Sequence, residues 1–112
     1  MWLITTRGFY SVVADHHDDG NVLVRARARE DLGALADLLP GIDIEETPRR
    51  DYRFRVSVAR EAWTTAAAAL ADEIDYPNFK NAVAERQGPG RAHVYSDVWV
   101  TLLGLQEGGR YG

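Results

Sequence analysis

Two stretches of this 112-residue chain alternate a hydrophobic residue with an arginine: Val22-Leu23-Val24-Arg25-Ala26-Arg27-Ala28-Arg29 and Tyr52-Arg53-Phe54-Arg55-Val56-Ser57-Val58. Side chains of a strand point alternately to its two sides, so a period of two marks a strand buried on one face only. One face takes Val22, Val24, Ala26, Tyr52, Phe54, Val56 and Val58, and the other takes Arg25, Arg27, Arg53 and Arg55. If the two strands are neighbours, four guanidiniums share one side of a sheet. Unit charges ~5.5 Å apart repel by about 3 kcal/mol at an effective dielectric near 20. Such a face calls for anions.

Three sources can supply them. The chain's own acids are one: Asp72, Glu73, Asp75, Glu85 and Asp97 in the C-terminal half, or Glu45 and Glu46 beside the second strand. A partner subunit or an acidic protein is another. The third is a phosphorylated small molecule or nucleic acid, since a guanidinium grips phosphate through two parallel N–H bonds. Trp2, Phe9 or Tyr10 would offer RNA bases a stacking surface. A formal net charge of −4 argues against nucleic acid, whose non-specific affinity comes from neutralised phosphates. So does the placing of Tyr52 and Phe54 on the core face.

Around these strands the rest of the chain reads as an α+β domain. A first strand is expected over 2–13, with Gly8 marking a bulge or bend. Asp15 to Asn21 is polar and contains a glycine, which predicts a hairpin. Leu32, Leu35, Leu38 and Leu39 predict a short helix over 30–39, stopped by Pro40-Gly41. A short strand over 42–46 and a turn then lead to the strand at 52–58. Trp63, Ala66, Ala67, Leu70, Ala71 and Ile74 hold helical spacing over 60–74. Pro77 is placed to open a helix that carries Phe79, Ala82 and Val83. A last helix over 91–106 would turn Val94, Tyr95, Val98, Trp99, Leu102 and Leu105 inward, leaving 107–112 as a flexible tail.

The order β-β-α-β-β-α-α-α contains most of a ferredoxin-like split β-α-β arrangement. A permuted four-stranded antiparallel sheet follows if an N-terminal hairpin strand fills the missing slot. Helices 30–39 and 60–74 would then cover the valine face and leave the arginines open. With 46% hydrophobic and 27% charged residues, the chain is expected to be one domain over 1–112.

Motifs for catalysis are few. The absence of cysteine excludes disulfides and thiolate zinc sites, and suits a reducing cytoplasm. No signal peptide is expected from the N-terminal run, which lacks an unbroken apolar segment. Nor does any stretch approach the ~18 apolar residues of a membrane span. His16 and His17 with Asp15, Asp18 and Asp19 resemble a metal cluster, but consecutive residues on a turn seldom converge on one ion. No metal and no cofactor is expected. His93 and Asp97 sit four apart on the last helix, the spacing by which a carboxylate orients a general base. Lys80 has nothing near it to depress its pKa and reads as solvated.

Several blocks together carry a resemblance: Gly8-Phe9-Tyr10-Ser11-Val12-Val13, Val22 to Arg27, Asp51 to Arg55, Ile74-Asp75-Tyr76-Pro77-Asn78-Phe79-Lys80, and His93 to Trp99. In this order they resemble an uncharacterised family of small, about 110-residue, bacterial and phage proteins with no assigned activity. The resemblance implies one compact domain and brings no catalytic residue with it. The leading expectation is a non-enzymatic binding or accessory module, a homodimer, holding an anionic ligand or partner on Arg25, Arg27, Arg53 and Arg55. The alternatives are a small hydrolase or transferase for a phosphorylated substrate, with His93 as base, and an RNA-binding module.

Overall fold

The two alternating segments pair side by side. Strands β3 (Asn21–Ala26) and β5 (Phe54–Ala59) run antiparallel, with Val22 opposite Val58, Val24 opposite Val56 and Arg25 opposite Arg55. A computed structural model describes residues 1–106, and the tail expected over 107–112 lies outside the described residues. Two units are distinguished, Met1–Asp75 and a second beginning at Tyr76.

The first unit is a mixed α+β body with an antiparallel sheet of five strands, in the order β1-β2-β3-β5-β4. The remaining strands are β1 (Trp2–Ile4), β2 (Phe9–Ala14) and the two-residue β4 (Glu45–Glu46). Five strands stand where four were expected because the segment 2–13 is a hairpin. The Thr5 hydroxyl donates to the Gly8 carbonyl at 3.0 Å and accepts from the Arg7 and Gly8 amides at 3.1 and 3.2 Å. This local competition for the backbone turns the chain back on itself. Gly8 is needed there for space, since a Cβ would come within 2.5 Å of Asp31 Cγ.

Helices α1 (Arg29–Gly33) and α2 (Arg60–Asp72) lie on the valine face. Leu32, Leu35 and Leu39 join Trp63, Ala66 and Leu70 over Tyr10, Val12, Val22, Val24, Ala26, Val56 and Val58. Each buried aliphatic side chain contributes about 1.5–3 kcal/mol of transfer free energy, which fixes the face of every strand. Tyr10, expected among candidate stacking residues, is wholly buried here, and its hydroxyl donates to the Asp31 carbonyl at 2.7 Å.

The helix expected over 30–39 ends early for a tertiary reason. Tyr10 Oη donates to the Asp31 carbonyl at 2.7 Å and Arg7 Nη1 to the Ala34 carbonyl at 2.6 Å, occupying the acceptors that a continuing helix would give to Leu35 and Leu38. Leu38 bonds to Leu35 instead, and the segment proceeds in tight turns.

In the second unit α3 (Phe79–Gln87) and α4 (Pro89–Gln106) form a helical pair. Asn78 caps α3, its side-chain oxygen accepting from the Asn81 amide at 2.9 Å. Pro77 therefore precedes the cap rather than opening the helix. Tyr76, Phe79 and Tyr95 pack ring against ring at 5.8 and 6.1 Å. The inner side expected for α4 is only partly realised. Tyr95 is buried, whereas Val94, Trp99, Leu102 and Leu105 are exposed. At 1.5 Å per residue, nine-residue α3 spans only about half the length of eighteen-residue α4.

Candidate functional site

Directly paired residues share a face, so the register Trp2–Ser11–Arg25–Arg55–Glu45 draws one row across all five strands. The row lies on the face opposite α1 and α2. Arg25 and Arg55 stand directly opposite each other, an arrangement that costs stability when like charges stay close. Their guanidiniums leave in different directions. Arg25 crosses toward β2, where Nη2 donates to Ser11 Oγ at 2.7 Å. Arg55 reaches toward β4, giving Nε to Thr47 Oγ1 and Nη2 to the Tyr52 carbonyl, both at 3.1 Å.

Tyr52 belongs to this face, not to the valine face where alternation placed it. Its ring lies 6.3 Å from Phe9, and the guanidinium carbons of Arg25 and Arg27 sit 4.6 and 4.9 Å from its centroid. Beneath them Tyr52 is 4% exposed. The reason is backbone geometry: Asp51 and Tyr52 form a bend, and the strand begins only at Phe54. Period two does not extend past a strand's end. A stacked guanidinium spends its face on the ring and keeps its in-plane N–H groups for an acceptor. Arg27 is exposed and lies one residue beyond β3, yet the stack returns it to the group.

Arg53 departs from the other three. Its Nε pairs with Glu46 Oε1 at 2.8 Å, and its guanidinium lies 5.8 Å from the Phe54 ring. Glu46 is the partner of Phe54 in the β4–β5 register, so this pair belongs to the sheet's edge on the Phe54 side. Among the described residues no carboxylate forms an ion pair with Arg25, Arg27 or Arg55.

Ser11 and Tyr52 complete the site and were not foreseen in it. Ser11 was findable, because β2 places it two residues from Phe9 and hence on the same side. The far end of the face is acidic. Ser57 Oγ donates to Asp15 Oδ2 at 2.5 Å and accepts from Asn21 Nδ2 at 2.9 Å. The Ser57 hydroxyl, with the His17 amide, holds the Asp15 carboxyl below the usual carboxylate range.

Asp15 and Asp18 accept from the His17 and Gly20 amides at 2.9 and 3.1 Å, so the His-Asp run serves the turn. No group of three or more metal-ligating side chains is found among the described residues. His93 Nε2 and Asp97 Oδ2 are 3.8 Å apart on α4, too far for the hydrogen bond that would orient an imidazole, and both side chains are largely exposed. Lys80 Nζ lies 5.4 Å from the Trp99 ring. A cavity of about 640 Å³ beside β5 takes Arg55 into its wall, but Asp43 and Glu45 line it as well and oppose an anion.

Arg7 is a further arginine that the alternation did not reveal. It is buried, and forks between Asp37 and Glu73: Nη1 meets Asp37 Oδ1 at 2.6 Å, and Nε donates to Glu73 Oε1 at 2.9 Å. Hydrogen bonds to both carboxylates raise its pKa, so it is permanently charged. No helix among the described residues is long and apolar enough to cross a membrane. No protein-family model, curated protein or solved structure matches the chain.

Proposed function

We propose that this chain is a non-enzymatic binding module, working in the cytoplasm, that holds an anionic ligand or partner on the open face of its sheet through Arg25, Arg27 and Arg55. One observation carries the reading: the guanidiniums of Arg25 and Arg27 lie over the Tyr52 ring, that of Arg55 donates to the Tyr52 carbonyl, and none of the three forms an ion pair with a carboxylate among the described residues. A structural arginine cluster would have recruited one of the chain's own acids, as Arg53 recruits Glu46. The run β3-α1-β4-β5-α2, with β2 beside β3, supports a permuted ferredoxin-like architecture whose helices α1 and α2 pack on the valine face. A homodimer is in keeping with the exposed apolar residues of α4.

The test is thermal unfolding in increasing tripolyphosphate, at fixed ionic strength, for the wild type and Arg25→Ala/Arg27→Ala. Ligand at 100 times its dissociation constant stabilises the native state by about 2.7 kcal/mol. A rise in Tm that the double variant loses supports the reading. No rise in the wild type, or an equal rise in both, sinks it.

A further inference from the structure

Resting on the anion reading, we infer that the ligand is a nucleoside phosphate, its base stacked on Trp2 and its phosphate held by Arg25 and Arg27. An inorganic anion would use only the arginine end of the face. The other end is aromatic. Trp2 is 74% exposed on β1 and stands edge-to-face with Phe9 at 6.0 Å, and Phe9 in turn meets Tyr52. Aromatic rings thus adjoin one another from an exposed indole to the ring on which two guanidiniums rest.

Spacing decides the ligand class. Trp2 and Arg25 lie in the same row with only Ser11 of β2 between them, so their Cα atoms are about 10 Å apart at ~4.8 Å per strand. A ligand that uses both ends needs a flat π-surface and an anion separated by roughly the length of a sugar. A nucleoside phosphate has that form. Phe9 braces one side of the indole and leaves the exposed side for a base, and base–aromatic stacking tolerates any base. At the other end Arg27 donates to none of the described residues, and Arg25 spends Nη2 on the Ser11 hydroxyl and Nε on the Ser11 carbonyl. The remaining in-plane donors are free to take phosphate oxygens.

Charge limits the ligand's length. The net charge is −4, and Asp15 and Glu45 flank the face on the β5 side. A long polyanion would meet those acids, whereas one or a few nucleotides would stay over β1, β2 and β3. Free nucleotides and single-stranded oligonucleotides share this chemistry.

Isothermal titration calorimetry separates the cases, with AMP, ribose 5-phosphate, tripolyphosphate and a single-stranded hexa-adenylate as probes. The proteins are the wild type, Trp2→Ala, Trp2→Phe and Arg25→Ala/Arg27→Ala, each first checked for cooperative melting. AMP is expected to bind the wild type about ten-fold more tightly than ribose 5-phosphate. Trp2→Ala should abolish that advantage and leave tripolyphosphate affinity unchanged, Trp2→Phe should keep most of it, and the arginine variant should lose every ligand. A hexa-adenylate much tighter than AMP, with steep salt dependence, assigns the site to single strands; equal affinities assign it to free nucleotides. If AMP and ribose 5-phosphate bind the wild type equally, or Trp2→Phe loses as much as Trp2→Ala, the nucleoside inference fails while anion binding stands. If tripolyphosphate also fails to bind the wild type, anion binding fails with it.

Discussion

Arg7 and Arg27 carry the same group into opposite settings. Arg7 is buried, and its fork is filled by Asp37, Glu73 and the Ala34 carbonyl. Arg27 is exposed, rests its face on Tyr52 and pairs with no carboxylate among the described residues. A charge withdrawn from water must have its donors filled, and once they are filled it can do nothing but hold structure. A charge whose face is held by an aromatic ring keeps its donors available and loses little mobility when it binds. The two environments separate an arginine that organises the fold from arginines arranged to receive something.

Replacing Arg7 should have the largest effect on stability. Arg7→Met keeps the side chain's length but leaves Asp37, Glu73 and the Ala34 carbonyl without their shared donor. The expected loss is about 3 kcal/mol, or a fall in Tm of roughly 10 °C by differential scanning calorimetry. Arg7→Lys keeps the charge without the planar fork and should fall between the two. A variant that melts with the wild type would mean that Arg7 is no more structural than Arg27.

Tyr52→Ala probes the other side of the comparison and should have an intermediate effect. It removes a buried ring from beneath two guanidiniums, at a cost of about 2 kcal/mol in denaturant unfolding, less than the usual aromatic deletion because the ring lies outside the main core cluster. Tripolyphosphate binding should weaken as well, since Arg25 and Arg27 lose the surface that orders them. Unchanged binding would show that the stack is not what presents the arginines.

The sequence was most informative where strand periodicity governs. Val22, Val24, Val56 and Val58 face the core as alternation requires, and β3 and β5 are neighbours. The helix expected over 60–74 is realised as Arg60–Asp72, because alanine propensity and the Trp63–Ala66–Leu70 spacing agree. Periodicity failed at the strand ends, where Tyr52 and Arg53 precede the first residue of β5 and the bend at 51–52 resets which way they point. Thr5 to Gly8 ends in a glycine and begins with a residue able to bond its own backbone, a turn signal that would have given the fifth strand. Arg7 could not be read locally: its partners lie 27, 30 and 66 residues away. The candidate site was therefore legible as a face and illegible as a set of contacts.

The smallest effect on stability is expected at Arg27. With its guanidinium exposed and bonded to no carboxylate among the described residues, Arg27→Ala forfeits one cation–π contact, worth about 0.5–1 kcal/mol at an exposed site. It also relieves repulsion with Arg25, since both guanidiniums approach the same ring. The two effects oppose each other, so Tm should move by no more than a few degrees. Arg27→Glu sharpens the test. If the open face is an unsatisfied cationic surface, a carboxylate beside Arg25 acts as an internal counter-ion, leaving the protein as stable as the wild type or more so while tripolyphosphate binding disappears. A loss of stability comparable to that of Arg7→Met would place Arg27 in the same structural class as Arg7, and the contrast between the two arginines would collapse.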